Sequence, residues 1–130
     1  MKQIILPQGM AKPGGNYSHG VLAKPGSLLF IAGQTAVDPN GDIVGIGDSY
    51  LQAKQVYENI QAILSDAGAT FADIVKLTTF ITDISYREKV NKVRSHYLTK
   101  DFPASTLVVV KGLAREEFLV EVEAIACIEA

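Results

Sequence analysis

Apolar and polar positions along this chain change period several times, and each change marks an element. From Asp48 to Ala67 the residues Ala53, Val56, Tyr57, Ile60, Ile63, Leu64 and Ala67 recur at three- and four-residue spacing. That spacing puts them on one face of an amphipathic helix. Asp48 suits the N-cap, where a carboxylate accepts from free first-turn N–H groups, and Gly68 suits the C′ position because it tolerates positive φ. A second helix is predicted from Tyr86 to Tyr97, with Val90, Val93 and Tyr97 as its buried stripe. Ser85 and Glu88 have the spacing of a capping box at its start.

Strand patterns fill the remainder. Lys2 to Leu6 and Ser18 to Ala23 read as short strands, broken up by Pro13, Gly14, Gly15 and the Pro25-Gly26 turn. Leu28-Leu29-Phe30-Ile31-Ala32, within a strand from Ser27, is apolar throughout and reads as buried on both faces. Gly33 closes it, and Asp38 to Asp42 is a turn-rich loop. Ile74 to Ile81 is β-branched, with Val75, Leu77, Thr79 and Ile81 facing one way. Pro103 bars helix continuation, and Ser105 to Val110 and Leu119 to Cys127 form two last strands.

The order is short strands, helix, strand, helix, strand pair. A mixed sheet with both helices on one face satisfies it, because a helix fits the crossover between parallel neighbours. The other face is then uncovered. A second copy of the chain is the simplest element to bury an apolar strand such as Leu28 to Ala32 there.

Composition narrows the functional classes. The 130 residues fit one domain, spanning 1–130, that gains from oligomerisation. Twelve basic and fourteen acidic residues leave a net charge of −2, with no basic tract, which argues against nucleic acid as the main partner. Cys127 is the single cysteine, so neither an internal disulfide nor a cysteine metal cluster is available. No apolar run reaches membrane-spanning length and Met1 to Pro7 lacks a signal-peptide layout, so a cytoplasmic location is the default expectation.

The last strand carries the clearest candidate chemistry. Its two-residue period puts Val120, Val122 and Ala124 on one face, and Glu121 and Glu123 on the other between Leu119 and Ile125. A carboxylate between apolar neighbours is partly desolvated and suited to proton transfer. The plainer alternative, a solvated strand face, is the more frequent outcome for acids. Tyr17, after a Gly-Gly turn, can present a phenol to a pocket, although a lone aromatic more often packs. Ser105 and Thr106 follow a proline-started strand and have no hydrolase companions. His19 and His96 have no metal-ligand spacing, so no metal or cofactor is expected. Cys127 reads as a small core residue.

The segments Gly15-Asn16-Tyr17-Ser18-His19-Gly20, Leu29-Phe30-Ile31-Ala32-Gly33-Gln34, Gln52 to Gly68, Asp73 to Phe80, Val90-Asn91, Phe102-Pro103-Ala104 and Val120 to Ala126 span nearly the whole chain. Together, in this order and spacing, they resemble the Rid (reactive intermediate deaminase, YjgF-type) family. The resemblance implies an α+β, chorismate-mutase-like fold and a homotrimer whose sheets form a central barrel with helices outside. It also implies three small-molecule clefts between subunits, which in the best-known members hydrolyse enamines or imines such as 2-aminoacrylate to a 2-keto acid and ammonia.

Carried over by position, Tyr17, Gly33, Asn91 and Glu121 line that cleft. Glu121 is the acid/base partner or holds the attacking water, with Tyr17 beside it, and the backbone near Gly33 orients the ligand. The family's deaminases carry an arginine after the Pro-Ala pair that grips the substrate carboxylate in a two-pronged bond. Here that position is Ser105. A lost guanidinium removes ~1.5–3 kcal/mol per hydrogen bond to a charged ligand. Ala32 stands where members often have serine, and Leu107 where some have cysteine, so the ligand-binding set Ala32, Gly33, Asn91, Ser105, Thr106 and Leu107 is less polar.

The leading expectation is a hydrolase or deaminase of a small reactive nitrogenous metabolite, inefficient on 2-aminoacrylate. The alternative is a non-catalytic small-molecule-binding or regulatory trimer, and endoribonuclease activity ranks below both. Arg94 and Arg115 are the cations whose approach to the cleft the sequence leaves open.

Overall fold

The computed structural model describes residues 2–24 and 26–129; Met1 and the Pro25 half of the Pro25-Gly26 turn lie outside the described residues. Six strands and two helices follow in the order β1 (Lys2–Ile5), β2 (Gly20–Ala23), β3 (Ser27–Gln34), α1 (Ser49–Asp66), β4 (Ile74–Ile81), α2 (Arg87–Tyr97), β5 (Ala104–Val109) and β6 (Val120–Ile128). Strands β1 and β2 pair into a small antiparallel sheet of their own. The main sheet has the order β3-β6-β4-β5, parallel between β4 and β5 and antiparallel elsewhere. Helix α2 provides the crossover that the parallel pair requires.

Both helices lie on one face, as the patterning requires. Ala53, Val56, Tyr57, Ile60 and Leu64 of α1 are fully buried and pack with Leu77, Ile81, Val120 and Val122 of the sheet and with Val90 and Val93 of α2. Each large side chain so buried contributes roughly 1.5–3 kcal/mol, and this layer is the source of the domain's stability. Asp48 caps α1, its Oδ1 accepting from Tyr50 N at 3.0 Å and Leu51 N at 3.1 Å. Gly68, at φ 75°, follows its end in the left-handed region. Gln52, buried inside the same helix, donates to Gly45 O and Glu117 O and accepts from Leu119 N, pinning the start of β6 to α1.

Three local expectations are corrected. The Leu28 to Ala32 run is not buried on both faces within the chain: Ile31 is buried, but Phe30 is 69% exposed and Leu28 54%. Among the described residues neither helix covers that side of the sheet, because both lie on the other. Along β4 the inward residues are Ile74, Leu77, Thr79 and Ile81 rather than Val75 with the last three. A register shift against β6 between Ile74 and Lys76 inserts one residue and changes the phase of the first position. The Ser85–Glu88 capping box is absent. Asp83 instead accepts from Ser85 N at 2.8 Å and starts a 3-10 turn, Ile84–Tyr86, that leads into α2, whose N-cap Tyr86 makes no side-chain bond.

Candidate functional site

Two features of the main sheet create candidate sites, and they lie at opposite edges. At the β5 edge, the loop before β2 is drawn onto the sheet. Ser18 N donates to Pro103 O at 3.0 Å, the Ser18 hydroxyl donates to Phe102 O, and Ser18 forms a parallel bridge with Ala104. Ser18 is consequently buried and the predicted second strand begins two residues later, at Gly20. This anchoring brings Gly14 to Tyr17 opposite α2 and leaves a cavity of about 480 Å³ between them, floored by Ser105 and Leu107 of β5. Tyr17 lines it, its ring edge-on to His19 at 5.6 Å, and Asn91 lines it from α2.

Arg94 dominates this cavity. It is only 8% exposed, and its guanidinium bridges strand and loop: Nη1 donates to Ser105 Oγ at 2.7 Å and Nη2 to the Asn16 carbonyl. Its Nε finds no hydrogen-bond partner, and among the described residues no carboxylate forms an ion pair with it. Burial pushes the guanidinium below its usual value, an effect that the nearby Tyr57 phenol opposes. Tyr57 itself is pushed up to about 12, by burial first and against the pull of Arg94. Its hydroxyl also lacks a hydrogen-bond partner among the described residues. A buried charge held by neutral acceptors alone recovers less of its desolvation cost than one paired with an anion.

The second feature is a bulge in β3. Ile31 pairs with Ala124 but Gln34 with Val122, so three steps on β3 match two on β6, and Ala32 and Gly33 occupy the irregularity. The Glu121 carboxylate lies directly over Gly33. A Cβ built at position 33 would stand 2.0 Å from Glu121 Oε2, so the approach requires glycine. Glu121 is half-buried and Glu123 exposed. Ala32 opens instead onto a hollow of about 330 Å³ on the uncovered face, which Phe30, Thr78 and Ile125 also line. Thr106 is on that face too, accepting from Lys76 Nζ at 2.8 Å.

Of the residues singled out from the sequence, then, Tyr17, Asn91, Ser105 and Leu107 come together, and Gly33 and Glu121 come together with Ala32 beside them. The two groups do not meet within one chain. Glu121 pairs with Phe80 and Ser105 with Leu77, so β4 separates their strands and three residues of it separate their levels. Two strand spacings and three residue rises are each ~10 Å, and the two side chains point to opposite faces of the sheet. Cys127 is buried, its thiol donating to Lys24 O at 3.1 Å, which fits a core role. Among the described residues no cluster of histidine, cysteine and acidic side chains could hold a metal, and no helix is long and apolar enough to cross a membrane.

Sequence patterning left Arg94 unassigned, although a signal was present. It falls four residues after Val90 and three before Tyr97, on the apolar stripe of α2, where an arginine is out of place unless its head group is engaged. Asn16, which receives it, contributes only a main-chain carbonyl and so leaves no side-chain trace in the sequence.

An α+β layer with two helices on a β3-β6-β4-β5 sheet, a glycine bulge under a glutamate and a polar cavity at the far edge define the class. The chain belongs to the Rid/YjgF family. Residues 9–128 match the family model described as Endoribonuclease L-PSP. A RutC family protein of Pyrococcus abyssi is 40% identical over 125 residues, 96% of each chain. The 3-aminoacrylate deaminase RutC of Acinetobacter baylyi is 32% identical over 125 residues, 96% of this chain and 97% of that one. Among solved structures, the Rid-family protein YyfB of Yersinia pestis superposes with a TM-score of 0.89 at 35% identity, covering 98% of both chains.

Proposed function

We propose that the chain is a Rid-type hydrolase that deaminates a small reactive enamine- or imine-like metabolite in clefts between the subunits of a homotrimer. The observation that carries this reading is the division of the site: Glu121 over Gly33 near the β3 edge, and Tyr17, Asn91, Arg94 and Ser105 at the β5 edge. Head-to-tail association around a threefold axis sets the β3 edge of one copy against the β5 edge of the next, and it buries the exposed Phe30 and Leu28 side chains. Each cleft then holds both groups. The likeness to a 3-aminoacrylate deaminase supports an enamine or its imine tautomer as substrate.

The chemistry needs one base that becomes one acid. The Glu121 carboxylate takes a proton from water, and the oxygen adds to the imine carbon to give a carbinolamine. Glu121 returns that proton to nitrogen; it then moves the carbinolamine hydroxyl proton to the amino nitrogen as the C=O bond forms and the C–N bond breaks, so that ammonia leaves a carbonyl product. Tyr17 supplies a phenol that holds ligand or water by hydrogen bonding. Glu121 ends as it began, and no atom changes oxidation state.

The test combines scattering with ammonia release from imines generated in situ. A trimer that liberates ammonia, with loss in Glu121→Gln, is the expected result. A stable monomer in dilute solution would sink the reading, as would a trimer inert toward a panel on which a RutC-type relative is active. Tight metabolite binding unaltered by Glu121→Gln, without turnover, would make the chain a binding or regulatory protein instead. RNA cleavage that vanished in a Glu121 and Tyr17 double variant would move the activity to ribonuclease.

A further inference from the structure

The cavity at the β5 edge is lined by two guanidiniums and no acid, on a chain whose net charge is −2. We propose that it receives a small dicarboxylate, with Arg94 at the floor gripping one carboxylate and Arg87 at the mouth reading the second. This deepens the hydrolase reading, on which it rests, by naming a dicarboxylic enamine or imine as its substrate class.

Arg94 has the properties of a built anion receptor. A guanidinium carries five N–H protons, and the bonds to Ser105 Oγ and Asn16 O commit two of them. Of the three that remain, Nε–H is buried, which leaves the second protons of Nη1 and Nη2, enough for a bidentate grip on a carboxylate. Those two bonds come from a strand on one side and a loop on the other, so the plane of the fork is fixed before any ligand arrives. Little side-chain freedom is then lost on binding. Ser105, where the resemblance expects an arginine, is the acceptor that holds the cation presented by α2. The positive charge of the cleft is thereby relocated from strand to helix.

Arg87 lies seven residues before Arg94, two helical turns away and only ~20° off the same line, about 10 Å along the axis. Asn91 stands between them, four residues after one and three before the other, and all three side chains line the cavity. Arg87 is exposed and Arg94 buried, so the pair spans the cavity from rim to floor. Two planar forks at its ends match two planar carboxylates joined by a short carbon chain, while the amide of Asn91 can meet a polar group between them.

Isothermal titration of the full-length protein at constant ionic strength tests this, with propionate, succinate, glutarate and inorganic phosphate as probes. Succinate or glutarate should bind at least tenfold more tightly than propionate and than phosphate. Arg94→Gln should weaken every carboxylate at least tenfold, and Arg87→Gln should erase the dicarboxylate preference while sparing propionate. Equal affinity for mono- and dicarboxylates, a preference for phosphate, or a preference that survives Arg87→Gln would overturn the assignment. Arg87 is exposed, so that variant decides the matter even where Arg94→Gln fails to fold. Dicarboxylate binding without ammonia release would count against the hydrolase alone; ammonia release without dicarboxylate preference would count against this assignment alone.

Discussion

Gly33→Ala separates the placement of Glu121 from the stability of the fold. The new methyl would stand 2.0 Å from Glu121 Oε2, 2.8 Å from its Cδ and 3.0 Å from its Cγ. Such contacts essentially never fall below about 3 Å, so the carboxylate has to swing away by at least about 1 Å. Glu121 is half-buried and its far end can rotate. An off-rotamer side chain costs ~0.5–1.5 kcal/mol. For a domain of this size that is about 2–6 °C in Tm. The same displacement is far more serious for proton transfer, where a 1 Å misplacement costs ~100-fold. The expected signature is a kcat for ammonia release about two orders of magnitude down, with a Tm only a few degrees lower by thermal denaturation. Circular dichroism should be unchanged, and Glu121→Gln should lose at least as much activity. A folded Gly33→Ala protein with kcat within twofold of the parent would refute the claim that the bulge places the proposed catalytic carboxylate.

Three further outcomes follow from buried polar groups. Gln52→Leu keeps the volume but strands Leu119 N and the carbonyls of Gly45 and Glu117, and it should cost about 2–4 kcal/mol in urea unfolding with an unchanged m-value. Tyr57 should favour folding fully below its unfolded value near 10, and that contribution should be lost as pH rises from there through about 12. The loss is on the order of 2–3 kcal/mol, visible as coincident phenolate absorbance and unfolding in an alkaline titration. Ser105→Arg would place a second guanidinium against Arg94 and should lower Tm by several degrees, whereas the double change Ser105→Arg with Arg94→Ser should recover most of it.

Helices and their faces were legible because periodicity is a local property. The Asp48 cap, the Gly68 terminus and the apolar stripe of α1 stand where spacing puts them. Bulges are not legible in the same way. The phase change at Ile74 and the irregularity at Ala32 and Gly33 arise from pairing with β6, and an isolated strand pattern carries no register. The start of α2 misled for a related reason: Ser85 with Glu88 and Asp83 with Ser85 are both plausible caps, and the choice between them depends on how the chain leaves β4.

The candidate site could be named by residue but not by arrangement. Glu121, Gly33, Tyr17 and Ser105 could be named because the family resemblance fixes their positions, but a sequence assigns each to a face and not to a copy of the chain. Glu121 points from the side of the sheet that no helix covers, while Ser105 points toward α2. No rotamer of either brings them together across β4. A single chain therefore exposes what association would complete: an apolar strand with Phe30 at 69% exposure beside a carboxylate, and at the far edge a buried cation held by neutral acceptors. Burying Phe30 and Leu28 between copies would supply a few kcal/mol per chain at roughly 25 cal/mol per Å². The same contact would bring a carboxylate near Arg94 without letting the two neutralise each other, provided that a ligand stands between them. On the proposed hydrolase reading, that condition ties assembly to catalysis. If Glu121 of one copy paired directly with Arg94 of the next, the base would be quenched, and so the gap between the two edges has to be wide enough for substrate and water.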